Sequence, residues 1–217
     1  MKMSERKPFL QLEGRAVIEW TCAAFAEARE IDEIVIVARA DDVDRLRELA
    51  AGSSHMETVR AIVQGGAERA DSVRAGVDAI AASVEMVAIH DAARPLVTAE
   101  DIDRTVSVAR ERGAALLALP VTDTIKTSSD GIHAEATLDR NVLWRAQTPQ
   151  AFRTTVLRGL LNKAITDDFR PTDDAALYER YVGAVPIVEG LGPNLKLTTP
   201  EDLELATAIL QRRAQGA

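Results

Sequence analysis

The amino-acid sequence predicts an α/β fold: a doubly wound, Rossmann-like, mostly parallel sheet with a protruding β-arm. Three observations predict it. Short apolar runs at 34–38, 59–63, 86–89 and 114–119 alternate with helical patterns of about 10–15 residues. Those runs are continuous rather than alternating, as in strands covered on both faces of a parallel sheet. Between residues 124 and 138 the pattern changes to polar alternation around Asp130-Gly131, a hairpin too polar to feed a core. With 217 residues, 47% of them hydrophobic, one sizeable core is within reach. A single domain over 1–217 is therefore expected, with 122–146 as the arm.

Each element has a local reason. Gly14 leads into a helix on which Val17, Thr21, Ala24, Phe25 and Ala28 recur at helical spacing. Ile34 to Ala38 is the first buried strand. Asp41 and Asp42 then suit the positive end of a helix carrying Val43, Leu46 and Leu49. Val59 to Val63 is a second strand, and after Gly65-Gly66 a helix presents Val73, Val77 and Ile80 on one face. Met86 to Ile89 is a third strand, read as buried and parallel. Thr98 with Asp101 resembles a capping box for a helix through Arg112 that Gly113 ends. Ala114 to Leu119 is the next strand. Past the arm, residues 139–150 lead back to the body, helices are expected at 154–163 and 173–181, and a strand at 185–189. Thr199 and Pro200 suit the cap and first position of a closing helix.

Composition excludes several function classes. A net charge of −8 and a pI near 5.0 leave no basic surplus to neutralise a nucleic acid or an anionic membrane. Four Phe, two Tyr and two Trp give little material for stacking bases. The single cysteine, Cys22, excludes a disulfide framework and fits a small core residue in a reducing cytoplasm. No stretch approaches the roughly 20 apolar residues of a membrane span, and no signal-peptide pattern opens the chain.

Ligands of open α/β sheets bind past the carboxyl ends of the strands. There the sequence offers Asp91 and Arg94 after the third strand and Gly65-Gly66 after the second, with Thr124, Arg140, Thr148, Lys196 and Lys7 elsewhere. An aspartate can hold a hard cation, an arginine can grip phosphate, and glycines let backbone approach a ligand closely. Ordinary alternatives stand beside these: a turn-capping Asp, a tight Gly-Gly turn, solvated lysines and capping threonines. His55, His90 and His133 are too scattered for a zinc cluster, and His90 is expected to pack at its strand end. The residues alone lead to an α/β domain with a phosphate-ligand site.

Taken together, Lys7-Pro8-Phe9-Leu10, Gly65-Gly66-Ala67-Glu68-Arg69-Ala70-Asp71-Ser72-Val73, His90-Asp91-Ala92-Ala93-Arg94-Pro95, Asp139-Arg140, Gln147-Thr148-Pro149-Gln150, Thr172-Asp173-Asp174 and Asn194-Leu195-Lys196-Leu197-Thr198 go further. In order and spacing this set resembles the 2-C-methyl-D-erythritol 4-phosphate cytidylyltransferase family over nearly the whole chain. The resemblance implies a nucleotidyltransferase fold and transfer of CMP from CTP to 2-C-methyl-D-erythritol 4-phosphate in non-mevalonate isoprenoid synthesis. It also implies Mg²⁺ and a homodimer joined by the arm, and the single cysteine points to a cytoplasmic location. Carried over by position, Asp91 resembles the metal ligand, and Gly65, Gly66, Ala67, Ser72 and Ala92 the cytidine pocket. Lys7, Lys196 and Arg140 resemble the catalytic cations. Arg94, Thr124, Arg140, Thr148, Thr172 and Lys196 resemble the substrate contacts, with Arg140 serving the neighbouring subunit's site. The family pattern places a strand and a glycine-rich loop before Lys7, where this sequence has only the six residues Met1 to Arg6. A further upstream segment completing the sheet is the expectation, with poor CTP turnover from the 217 residues alone. A ribitol 5-phosphate cytidylyltransferase and a catalytically silent nucleotide-binding dimer are the competing readings.

Overall fold

The computed structural model describes residues 5–216. The start of the chain, where an upstream segment is expected, lies outside them. A short hairpin, β1 (Gln11–Leu12) and β2 (Arg15–Ala16), turns through Gly14 at φ +78°, a conformation that favours glycine. It delivers the chain to α1 (Val17–Glu27), whose buried face is Val17, Ile18, Thr21, Cys22 and Phe25. Then come β3 (Ile34–Ala38), α2 (Val43–Gly52), β4 (Val59–Gln64), α3 (Arg69–Ala79), β5 (Met86–Ile89), α4 (Ala99–Arg112) and β6 (Ala114–Pro120). The Thr98 hydroxyl accepts from the Asp101 amide, and Gly113 ends α4 at φ +94°, as both residues' chemistry predicts. The arm carries β7 (Lys126–Thr127) and β8 (Ala136–Thr137), antiparallel and far shorter than the hairpin expected from the polar alternation. The chain closes with β9 (Trp144–Arg153), α5 (Thr154–Thr166), α6 (Asp174–Tyr181), β10 (Ile187–Glu189) and α7 (Pro200–Ala214).

The strands form a four-stranded sheet in the order β10-β6-β9-β5 and a parallel pair, β3-β4. Within the larger sheet β10 and β6 are parallel, while β9 runs antiparallel to both β6 and β5. This corrects two expectations. Residues 144–153 form a long central strand, where 139–150 was expected only to lead back to the body; Pro149, which lacks the amide a central strand needs, sits inside it. The third strand, β5, was expected to be buried and parallel. It is half-buried, and among the described residues its single strand partner is β9, antiparallel. Likewise β3 pairs only with β4 there, so each of these strands keeps one edge without a strand partner.

Helices cover both faces of the larger sheet. On one, Ala115, Leu117, Ala151 and Val188 pack with Ile102, Val106 and Ala109 of α4 and Phe25 of α1. On the other, Ala114 and Phe152 pack with Val73 and Val77 of α3, Leu157 and Leu161 of α5 and Leu177 of α6. Successive residues of β6 and β9 thus feed opposite cores, the two-residue period of a strand. Each fully buried Leu or Phe contributes about 1.5–3 kcal/mol. A third cluster, with Phe9, Cys22, Ile36, Leu46 and Met56, seats α1 and α2 against β3. Cys22 is the buried core residue its helical position predicted, and burial pushes its thiol up to about 12. Among the described residues no helix is long and apolar enough to cross a membrane.

Candidate active site

The site is organised by the tip of β5. Its last residue, Ile89, hands the chain to His90 and Asp91, and Arg94's amide closes the turn on the Asp91 carbonyl (2.9 Å). The Leu197 amide then donates to the Ala93 carbonyl (2.8 Å) while its side chain is buried. Lys196, between buried Leu197 and half-buried Leu195, therefore faces the turn: its Nζ lies 2.9 Å from Asp91 Oδ2. Arg94 Nε reaches the same oxygen at 3.4 Å. Burial acts to raise the Asp91 pKa, but Lys196, Arg94 and Arg69 outweigh it and hold the carboxyl below its ordinary value. The sequence thus identified a cluster whose two strongest members are about a hundred residues apart.

Arg94 is less available to a ligand than expected. Its guanidinium is mostly buried and committed to Asp91 and, through Nη1, to the Asn194 carbonyl (2.8 Å). Thr148 is committed in the same way. At 4% exposure its hydroxyl accepts from the Asp91 amide (3.0 Å) and lies 3.0 Å from His90 Nδ1, so its hydrogen bonds serve the turn rather than an acceptor. His90 packs at the strand end as expected, its ring 4.9 Å from Phe25, and burial lowers its pKa to about 4.

Gly65 and Gly66 follow β4 and lead into α3. The Gly65 amide donates to the Ala38 carbonyl (2.8 Å). A Cβ on Gly65 would lie 2.6 Å from Ser72 Oγ, and one on Gly66 2.3 Å from Asp71 Cβ, so the loop's close approach to its own helix requires both glycines. Ala67 is exposed beside them, and Ser72 Oγ donates to the Glu68 carbonyl. Lys7 and Ala92 meet Thr198 in the lining of one cavity of about 710 Å³, walled by Ile18, Ile36 and Leu46. Thr172 is exposed just ahead of Asp173, which caps α6. Thr124 and Arg140 remain on the arm, exposed, where Arg140 Nη1 donates to the Thr122 carbonyl (2.8 Å). Within one chain the arm residues are thus not gathered with the Asp91 cluster.

Three structural contributors were named in the motifs but given no role. Arg69 Nη2 pairs with Asp174, itself 1% exposed, at 2.6 Å, tying α3 to α6. Burial pushes the Asp174 carboxyl up against the opposing pull of Arg69. Gln150 donates to Asp173 and accepts from the Ala175 amide, and Asn194 donates to the Thr148 carbonyl (2.8 Å). Their signal was their position inside Gln147-Thr148-Pro149-Gln150 and Asn194-Leu195-Lys196. Among the described residues no three His, Cys, Asp or Glu side chains gather to hold a metal. Asp91 could contribute one hard oxygen ligand to a cation whose other ligands are phosphate and water, as Mg²⁺ commonly accepts.

The sequence profile of the 2-C-methyl-D-erythritol 4-phosphate cytidylyltransferase family matches residues 1–212. A relative of that name from Symbiobacterium thermophilum is 45% identical over 210 residues, covering 96% of this chain and 86% of the relative. The crystal structure of 4-diphosphocytidyl-2C-methyl-D-erythritol synthase from Anaerococcus prevotii superposes with a TM-score of 0.85 at 32% identity, over 95% of this chain and 90% of that one. The 2-C-methyl-D-erythritol 4-phosphate cytidylyltransferase of Thermus thermophilus superposes at 0.78 with 33% identity, over 94% and 93%.

Proposed function

The chain belongs to the 2-C-methyl-D-erythritol 4-phosphate cytidylyltransferase family, and from that premise we propose how its residues serve the reaction. It is a nucleotidyltransferase that moves CMP from CTP to 2-C-methyl-D-erythritol 4-phosphate, releasing pyrophosphate, in non-mevalonate isoprenoid precursor synthesis. An oxygen of the acceptor phosphate attacks the α-phosphorus of CTP, and the bond to the departing pyrophosphate breaks with its electron pair. The acceptor phosphate is already ionised at neutral pH, so no general base is required. What the protein must supply is positioning and quenching of repulsion between two anions.

The observation that carries this reading is the convergence of Lys196 and Arg94 on one oxygen of Asp91 at a strand tip. Lys196 holds the acceptor phosphate, and Lys7 stabilises charge developing on the triphosphate. Gly65, Gly66, Ala67, Ser72 and Ala92 form the cytidine pocket, Thr172 adds a substrate contact, and Arg94 braces Asp91. Asp91 would hold Mg²⁺, which would supply neutralising charge between the two anions. The arm, 122–146, joins two subunits, with Ile132 and Val142 exposed for that contact, and brings Thr124 and Arg140 to the neighbour's site in a cytoplasmic homodimer. Pyrophosphate release with CTP and Mg²⁺ tests the reading: turnover is expected with 2-C-methyl-D-erythritol 4-phosphate and little with ribitol 5-phosphate. Reversed preference, or CTP binding without turnover even when the upstream segment expected before Lys7 is supplied, would overturn it. A monomer in sedimentation at micromolar concentration would remove the role of the arm.

A further inference from the structure

A closed ring of hydrogen bonds ties together the three segments that meet at the site. The Asp91 amide donates to Thr148 Oγ1 (3.0 Å), which lies 3.0 Å from His90 Nδ1. His90 Nε2 lies 3.2 Å from the Arg94 carbonyl. Arg94 Nη1 donates to the Asn194 carbonyl (2.8 Å), and Asn194 Nδ2 returns to the Thr148 carbonyl (2.8 Å). A carbonyl can only accept, so Nε2 must carry a proton. In the neutral ring Nδ1 is then the acceptor, and the Thr148 hydroxyl donates to it. Each bond in the ring thus has a direction, and the polar side-chain atoms of His90 and Thr148 are spent within it. The loop bearing Lys196 and the turn bearing Asp91 are thereby held to β9 by buried and half-buried groups.

We propose that His90 and Thr148 are positioning residues, which through this closed ring set the Asp91 carboxylate against Arg94 and Lys196 before any ligand arrives. The inference rests on the reading of Asp91 and Lys196 as the phosphate-handling pair. Buried networks of this kind act as a unit, so removing one bond releases the others. Displacing Asp91 by even about 1 Å would cost on the order of 10²-fold in turnover.

The test begins with the metal-free wild-type protein. Its ¹⁵N spectrum near neutral pH is expected to show His90 protonated at Nε2 and bare at Nδ1, with slow exchange of the Asp91 amide. Thr148→Val keeps the side-chain shape and removes the hydroxyl, and His90→Phe keeps a ring beside Phe25 and removes both nitrogens. Each is expected to speed Asp91 amide exchange and lower kcat by about 10²-fold, with KM for CTP changed less than about threefold. Thr148→Ser should restore most of the rate, and the double variant should be no worse than the worse single one. A His90 proton on Nδ1, unchanged Asp91 exchange in Thr148→Val, or full kcat in either variant overturns the proposal. Should wild-type turnover be missing even with the expected upstream segment supplied, the proposed function fails, while the spectrum and the amide exchange still decide the ring of contacts.

Discussion

Lys196→Ala separates what this lysine does for the fold from what it does for the reaction. Its Nζ sits 2.9 Å from Asp91 Oδ2, but 45% of the side chain is exposed. A pair that solvated contributes at most about 1 kcal/mol to stability. Arg94, 3.4 Å from the same oxygen, remains to neutralise Asp91 after the substitution. For a domain of this size about 1 kcal/mol shifts Tm by only about 2–4 °C. Turnover should respond differently, because a preorganised cation aimed at reacting phosphate supplies about 3–4 kcal/mol, or roughly 10²–10³ in rate. The assay pairs pyrophosphate release from CTP and 2-C-methyl-D-erythritol 4-phosphate with a thermal scan by circular dichroism. A rate within about twofold of wild type would refute the role of Lys196. A fall in Tm of more than about 10 °C would refute the separation of the two effects.

Two further outcomes concern buried and capping charges. Arg69→Ala leaves Asp174, 1% exposed, without its cation, and should destabilise by about 3 kcal/mol in urea melts, the low end for a buried pair because 36% of the Arg69 side chain is exposed. Arg69→Ala with Asp174→Asn should recover much of that loss, and equal destabilisation in both would show that the ion pair is not the cause. Asp202 is held near 2 by the Thr198 hydroxyl and the amides of Thr198 and Thr199 at the start of α7. Its folded pKa lies below the ordinary value of about 3.9, so its stabilisation is complete above that pH and is lost as pH falls through about 2. Asp202→Asn should therefore melt lower than wild type at about pH 6, and the difference should shrink by about pH 2.5. A difference independent of pH would assign the effect to something other than the carboxylate.

By itself the sequence determined the helices, most strands and the motif residues. Apolar periodicity, caps such as Thr98 and Thr199 and the stop at Gly113 are local chemistry, which the chain carries wherever it folds. It also placed Asp91 at a strand tip, and the family resemblance assigned Lys196 to the same site, while their pairing came from the structure. Only the tertiary structure decided the course of residues 144–153, because Pro149 argues locally against a strand that partners β5 and β6 impose from outside. It likewise decided that Arg94 and Thr148 spend their hydrogen bonds on Asn194, His90 and Asp91. Residue type tells what bonds a side chain can make, but which partner takes them depends on segments about 50 to 100 residues away that only folding brings within about 3 Å.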